Sequence, residues 1–356
     1  MKKLRIFPIL LIVLLLYGCT TIYIKSASPD SSENSACFLA STNDTTDRTA
    51  DILKELSTGY CKLGVGDFYV KDLQMPENST LEGSGRSTTL ICIDENASFA
   101  IKLASFGKVS NLRLIGDPNE ISLSQQVGTK HGILWQGDYQ KNKVAPERAV
   151  IENVCIQAFT GGGITFADTG YGLRNCVTVN NVYISACNAG INIAFWSEYN
   201  KFTNVQCVGC YYGCINNGGN NTFVNCDFSG NKLAYLMDNV QSQSPNNSHG
   251  SCVGCVFNHS DSNSGVGIHV LNCDNGFVFD ACQIFFSQII IEDSDGVTIC
   301  NSNFGAKNCS ITVKNGGVVL FNGNVHQEIP AINIINNDNV HFINCYVRST
   351  GEIVGE

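Results

Sequence analysis

Three acidic residues recur in similar places: Asp138, Asp168 and Glu198 each follow, within a few positions, a short apolar run (HGILW, GGITF, AGINI). Paired carboxylates are what glycoside cleavage needs. One protonates the leaving oxygen, and the other attacks the sugar or activates water. Aromatic residues gather at the same points: Trp135, Tyr139, Trp196, Tyr199, Tyr212 and Tyr235, with Asp238 closing the LAYLM run. Aromatic faces stack on sugar rings, and both tryptophans of the chain fall in this set. Asp138, Asp168 and Glu198 are therefore the catalytic candidates. The aromatics and Asp238 are the substrate-binding candidates. The competing reading is that acids after a strand are solvated turn residues. His131, His249 and His269 lie nearby, and a lone histidine is first of all structural.

The elements that must position these residues come from a repeat. A short strand, often opened by a small residue, returns at Ile101, Ile133, Ile164, Ile191, Ile215, Tyr235, Ile268, Ile289, Ile311 and Ile332. A second strand alternates with it, usually opened by Asn: Asn111, Asn153, Asn181, Asn204, Asn225, then Gly254, Ala281 and Asn344. Intervals are mostly about 20 to 31 residues, the mark of a solenoid whose units bury their apolar side only by stacking. In the second strand the first and third residues after the landmark are apolar, as in Val154 and Ile156 or Val182 and Ile184, and the residue between is mixed. That period of two predicts strands with one buried face. The expected fold is all-β, a single-stranded parallel β-helix of about ten coils. Asn at the strand openings suits left-handed backbone, and stacked amides can bond from coil to coil. TTDRTADILKELSTG, from Thr45 to Gly59, reads as a short amphipathic helix that caps the first coil. No matching cap is visible at the C-terminus.

The chain has 356 residues, 15% charged, with a formal net charge of −9. That composition lacks the basic stripes of a nucleic-acid binder. Lys2, Lys3 and Arg5 precede an apolar stretch from Phe7 to Tyr17 that ends in Leu16-Tyr17-Gly18-Cys19. This resembles a bacterial lipoprotein signal, which implies cleavage before Cys19 and acylation there. The expected organisation is a signal over 1–18, a polar tether over 19–44 and the β-helix over 45–356. The protein is then exported and held to a bacterial membrane, at the cell surface or in the periplasm, only by its lipid. Eighteen cysteines in an exported chain suggest disulfides. Cys226, Cys255, Cys282 and Cys345 instead share one inward position, which predicts mostly a column of stacked thiols with a minority of bridges. Cys207-x-x-Cys210 and Cys252-x-x-Cys255 are not followed by histidines at finger spacing, so no metal site is expected.

Residues 60–92, YCKLGVGDFYVKDLQMPENSTLEGSGRSTTLIC, resemble the opening of the pectate-lyase-superfamily β-helix domain. The matching pieces are Gly66-Asp67-Phe68-Tyr69-Val70, then Asn78 to Gly85, then Thr88-Thr89-Leu90-Ile91. The resemblance runs from about residue 45 to the end and implies a right-handed parallel β-helix. That fold is shared by polysaccharide hydrolases and lyases, phage tailspikes and noncatalytic adhesins, so it leaves the chemistry open. The hydrolase signatures are not matched as a set. Asn225-Cys226-Asp227 and Asn272-Cys273-Asp274 are present, as are Lys130-His131-Gly132 and Ser248-His249-Gly250, but there is no Asp-Asp and no Arg-x-Lys. A calcium-dependent lyase of this kind needs an Asp cluster for the ion and an Arg to abstract the proton, and no such Arg is presented from a strand, since Arg148 and Arg174 read as loop residues; calcium is thus unsupported and no cofactor is expected. Two functions follow: a surface-anchored β-helix that cleaves polysaccharide by hydrolysis or elimination, or a noncatalytic one that binds glycan or serves as structure. The oligomeric state is left open.

Overall fold

The structure is a computed structural model. It describes residues 38–354 except 42–43, 93–95, 118, 120–122, 125, 137–146, 168–172, 175, 240–247, 260–264, 286 and 306–308. The signal and tether expected over 1–44 fall almost wholly outside the described residues. The described chain is a parallel β-helix. Its strands form one parallel sheet of 21 strands, a second of 11, and a two-stranded pair. The 11-stranded sheet receives one strand per coil, from Leu73–Gln74 to Ala331–Ile335, so there are eleven such coils rather than ten.

The expected apolar columns are present. Val154 pairs with Leu112, and Val182 with Val205. The pairings of Cys155 with Tyr183, Gln206 with Asp227 and Asp227 with Val256 carry the column from Val154 through Cys226 to Cys255. In the second sheet the column runs Ile133, Ile164, Ile191, Cys214, Tyr235, Ile268, Ile289, Ile311, Ile332. Cys214, not Ile215, holds this position, which corrects one landmark of the repeat. Ile215 points to the other side of its strand, beside Asn192 and Leu236.

The 21-stranded sheet supplies two walls because its strands bend. Asn111, Asn153, Asn181, Asn204, Asn225, Asn301 and Asn344 have φ between 49° and 57°, and Gly254, Ala281 and Gly323 occupy the same corner with φ of 64°, 53° and 66°. Ile151 is buried before the bend, and Val154 and Ile156 after it. The left-handed residue thus shifts the inward face by one position. Three successive amides bond as a ladder: Asn153 Nδ2 donates to Asn111 Oδ1 at 3.0 Å, and Asn181 Nδ2 to Asn153 Oδ1 at 2.7 Å.

After the first four bends the next residue is a buried aliphatic, Leu112, Val154, Val182 or Val205, and from Asn225 onward it is a buried donor. Cys226, Cys255, Cys282 and Cys345 each donate Sγ–H to the carbonyl two residues back and to one in the preceding coil, at 3.3–3.6 Å. Ser302 Oγ does the same to Cys300 at 2.8 Å, and Asn324 Nδ2 reaches Ile299 at 2.8 Å. Burial pushes the Cys207, Cys214 and Cys252 thiols well up and Cys282 up to about 12, so these groups keep their protons. All sixteen described cysteines are free thiols.

Aromatic stacks fill the middle of the coils. Phe202 lies on Phe223 with centroids 4.5 Å apart, and Phe228 on Phe257 at 5.6 Å. At the start, helix Thr49–Leu56 buries Ile52 and Leu56 over the first coil, and Gly59 ends the turn with φ 98°. At the other end, Tyr346 pairs antiparallel with Ile353, and Val354 tucks in with only 4% exposure. This small fold-back is a partial cap that the sequence did not reveal. The last strand of the second sheet stays open, with Ile334 44% exposed.

Candidate functional site

The structure separates the predicted site residues. Asp138, Tyr139 and Asp168 lie outside the described residues. Trp135 and Tyr235 are corrections, because both are core. Trp135 stands two residues beyond the inward Ile133, in the column of Leu103 and Phe166, and is 1% exposed. Tyr235 shares the inward column of Cys214 and Ile268 and is fully buried, with its hydroxyl accepting Asn216 Nδ2–H at 2.9 Å. Burial holds that phenol far above its ordinary range. Neither ring presents a face to a ligand.

Trp196, Glu198 and Tyr199 share the turn that leads from strand Ala189–Ile193 into strand Lys201–Val208. Buried amides lock this turn. Asn200 N and Nδ2 both donate to Asn221 Oδ1, at 3.1 and 3.0 Å, and Asn221 Nδ2 donates to the Ser197 and Asn216 oxygens, each at 3.0 Å. Trp196 and Tyr199 sit at φ 64° and 62°, and Tyr199 is 39% exposed. Such backbone is uncommon for a bulky side chain.

The pairings of Val150 with Thr178, Thr178 with Lys201 and Lys201 with Thr222 place Arg148, Cys176, Tyr199 and Asn220 in one column of successive coils. All four have left-handed backbone, with φ of 50°, 50°, 62° and 53°. Together with Thr178, Lys201 and Thr222 they line a groove of about 570 Å³. Neither Arg148 nor Lys201 forms an ion pair among the described residues. Glu198 immediately precedes Tyr199, and its Oε2 accepts Asn220 Nδ2–H at 3.5 Å. An exposed ring, two unpaired cations and an adjacent carboxylate can hold a hydroxyl-rich or anionic chain. Spacing along the sequence did not single out Arg148 or Lys201. Their signal is their position relative to the ladder: Arg148 comes two residues before Val150, which opens its strand, and Lys201 opens its own.

Tyr212 and Asp238 lie elsewhere, on strands Tyr212–Asn216 and Leu233–Asp238 of the second sheet. Burial raises the Tyr212 phenol, and neighbouring Tyr211 and Asp238 add to it. On the next coil burial lowers His269, while Glu292 and Asp238 act in the opposite sense. His131 accepts Gly162 N–H at 3.0 Å and the Thr165 hydroxyl at 2.9 Å through Nδ1, and burial lowers it to about 4, which makes it a structural histidine. Among the described residues no group of three or more His, Cys, Asp or Glu is placed to hold a metal ion.

No family model matches this sequence, and no curated protein does. Solved structures do match. The chain is similar to the catalytic domain of a GH87 α-1,3-glucanase in complex with tetrasaccharides, at 12% identity and a TM-score of 0.59, covering 91% of this chain and 70% of that one. It is similar to the catalytic unit of the thermostable GH87 α-1,3-glucanase from Streptomyces thermodiastaticus strain HF3-3, at 14% identity and a TM-score of 0.53, covering 83% and 68%. It also matches tailspike protein 2 of Escherichia coli O157:H7 bacteriophage CAB120, at 14% identity and a TM-score of 0.47, covering 77% of this chain and 41% of that one. This chain thus spans about two fifths of that tailspike. At such identities the likeness is one of fold.

Proposed function

We propose that this chain is an exported parallel β-helix protein, anchored through Cys19, that acts on polysaccharide along the corner groove at Tyr199. The observation that carries the reading is the left-handed column from Arg148 to Asn220, which sets an exposed ring along one edge of the coils with two cations that form no ion pair among the described residues. Tyr199 stacks on a sugar. Arg148 and Lys201 bond hydroxyls or carboxylates. Glu198 supplies one carboxylate at the groove, and Asp138 and Asp168 are the candidates for its partner. The glucanase domains of similar fold, one solved with tetrasaccharides, support the substrate class.

The test is incubation with a polysaccharide panel. New reducing ends report hydrolysis, and ultraviolet absorbance from unsaturated products reports elimination. Glu198→Gln is expected to cut turnover by about a hundredfold or more, and Tyr199→Ala to raise KM. Turnover that survives replacement of Asp138, Asp168 and Glu198 by Ala removes this site. A second reading, glycan holding without cleavage, is favoured by one feature: none of the described residues lining the groove is acidic. Saturable binding with no new ends selects it. Cys19→Ala is expected to release the protein from the membrane fraction.

A further inference from the structure

A second groove, about 540 Å³, runs along the Asn corner, away from Tyr199. Its floor includes Cys155, Tyr183 and Gln206, and its edge is the amide column. Short helix Gly85–Ser87 overhangs it and brings Arg86 over the Tyr183 ring, 5.9 Å from the centroid. The overhang is pinned: Ser84 N–H donates to Thr88 Oγ1 at 2.8 Å, Thr88 Oγ1 to the Gly64 carbonyl at 2.5 Å, and Ser84 Oγ to Leu63 at 3.0 Å. These bonds fix both ends of the short helix that carries Arg86, and Arg86 has no ion pair among the described residues.

We propose that this groove binds a linear glycan bearing carboxylates, a uronate chain, without cleaving it. Three features of the site lead to that ligand. The first is capacity. A side-chain amide has two N–H groups and two lone pairs, and the ladder bond from Asn181 to Asn153 to Asn111 uses only part of them. Asn204 and Asn225 continue the column, exposed, and make no side-chain hydrogen bond among the described residues.

The second is period. The amides repeat once per coil, about 4.8 Å apart, which is close to the length of one pyranose in an extended chain. Each sugar then meets an equivalent amide. The third is charge. The described residues lining the groove include no carboxylate, in a chain whose formal net charge is −9. Arg86 has no ion pair among the described residues, and Arg113 stands close by, bonded through Nε to Gln157 at 3.0 Å. Both guanidinium groups oppose the upward push that burial gives the Cys155 thiol, so their field reaches the groove floor. A guanidinium held over a ring offers its N–H fork to a carboxylate. With no acid or base in the lining, the groove can bind but not hydrolyse. The inference stands apart from the reading of the Tyr199 groove, and the two fail separately.

The test compares a β-1,4-linked glucuronate hexamer with cellohexaose, which differs only at C6. Calorimetric titration uses the wild-type protein, Arg86→Gln and Tyr199→Ala. Hydrogen exchange of the wild-type and Tyr199→Ala complexes locates the ligand. The glucuronate hexamer is expected to bind, to protect residues 84–88 and 181–183, and to weaken with added salt. Arg86→Gln is expected to lose about tenfold or more in affinity for it, with an unchanged thermal midpoint and no change toward cellohexaose. Tyr199→Ala is expected to leave protection at 84–88 intact. The proposal is overturned if the hexamer does not bind, if Arg86→Gln binds it as wild type does, or if protection appears only around residues 196–201.

Discussion

Two corners of the coil use the same left-handed backbone for different ends. At the Asn corner, the residues are Asn, Gly and Ala, and from Asn225 onward each is followed by a buried donor, most often Cys, that satisfies carbonyls the bend turns inward. At the other corner the same conformation is imposed on Phe106, Arg148, Cys176 and Tyr199, and Phe106 and Tyr199 are 52% and 39% exposed. Left-handed backbone costs a residue with a Cβ about 1–2 kcal/mol. Asn and Gly meet that demand cheaply, and the fold gains a bend. Tyr and Arg do not, and the rings of Tyr199 and Phe106 stay partly exposed. Strain held at exposed, bulky side chains points to use. The lesson is that backbone conformation alone marks only a corner, and the side chain placed on it tells structure from site.

The sharpest way to break the comparison is at the buried donors. Asn324 Oδ1 accepts Ser302 N–H at 2.9 Å, and its Nδ2 donates to Ile299. Asn324→Leu strands both partners inside the protein and is expected to lower unfolding free energy by about 3 kcal/mol in a urea titration; a loss below about 1 kcal/mol would deny the donors their structural role.

His326 is the contrasting buried polar group. It stacks on Phe304 at 4.2 Å, and neither ring nitrogen has a hydrogen-bond partner among the described residues. Burial lowers it to about 4 from an unfolded value of 6.5. Between those values the unfolded chain binds more protons. Stability is therefore full above pH 6.5 and falls as the pH drops toward 4. His131 titrates in the same window. His326→Phe is expected to raise stability by about 1–2 kcal/mol at neutral pH and to shrink the loss on acidification. An unchanged acid profile would show that His326 is not the group responsible.

The smallest effect compares the corners directly. Tyr199→Gly relieves left-handed strain and is expected to stabilise by about 1 kcal/mol while weakening glycan binding. Asn153→Leu adds strain and removes two ladder bonds, and is expected to destabilise by about 1–2 kcal/mol. Equal responses in unfolding midpoints would erase the distinction between the two corners.

Much of the fold is legible in the order of residues. The period of two around Val154 and Ile156 is a local pattern, and so are the apolar stripe Ile52, Leu53 and Leu56 and the Asn at most bends. Solenoid units must stack to bury such stripes, so local pattern and neighbour contact say the same thing. The site was legible only in part. Trp135 could have been excluded by parity, since it lies two residues beyond the inward Ile133. Tyr235 could have been excluded as well, since it stands at a landmark of that same repeating strand, in register with Ile268. The C-terminal fold-back left no periodic signal.

The amino-acid order by itself determined that this chain would be strands, bends and stacked coils, because alternation, turn chemistry and apolar burial act over a few residues. Only the tertiary structure decided which side chains meet. Arg148, Cys176 and Tyr199 are far apart in the chain and adjacent in space, because coils of unequal length bring their corners into one column. Inter-coil register is set by ladder bonds summed over whole strands, and no short stretch of residues encodes that sum.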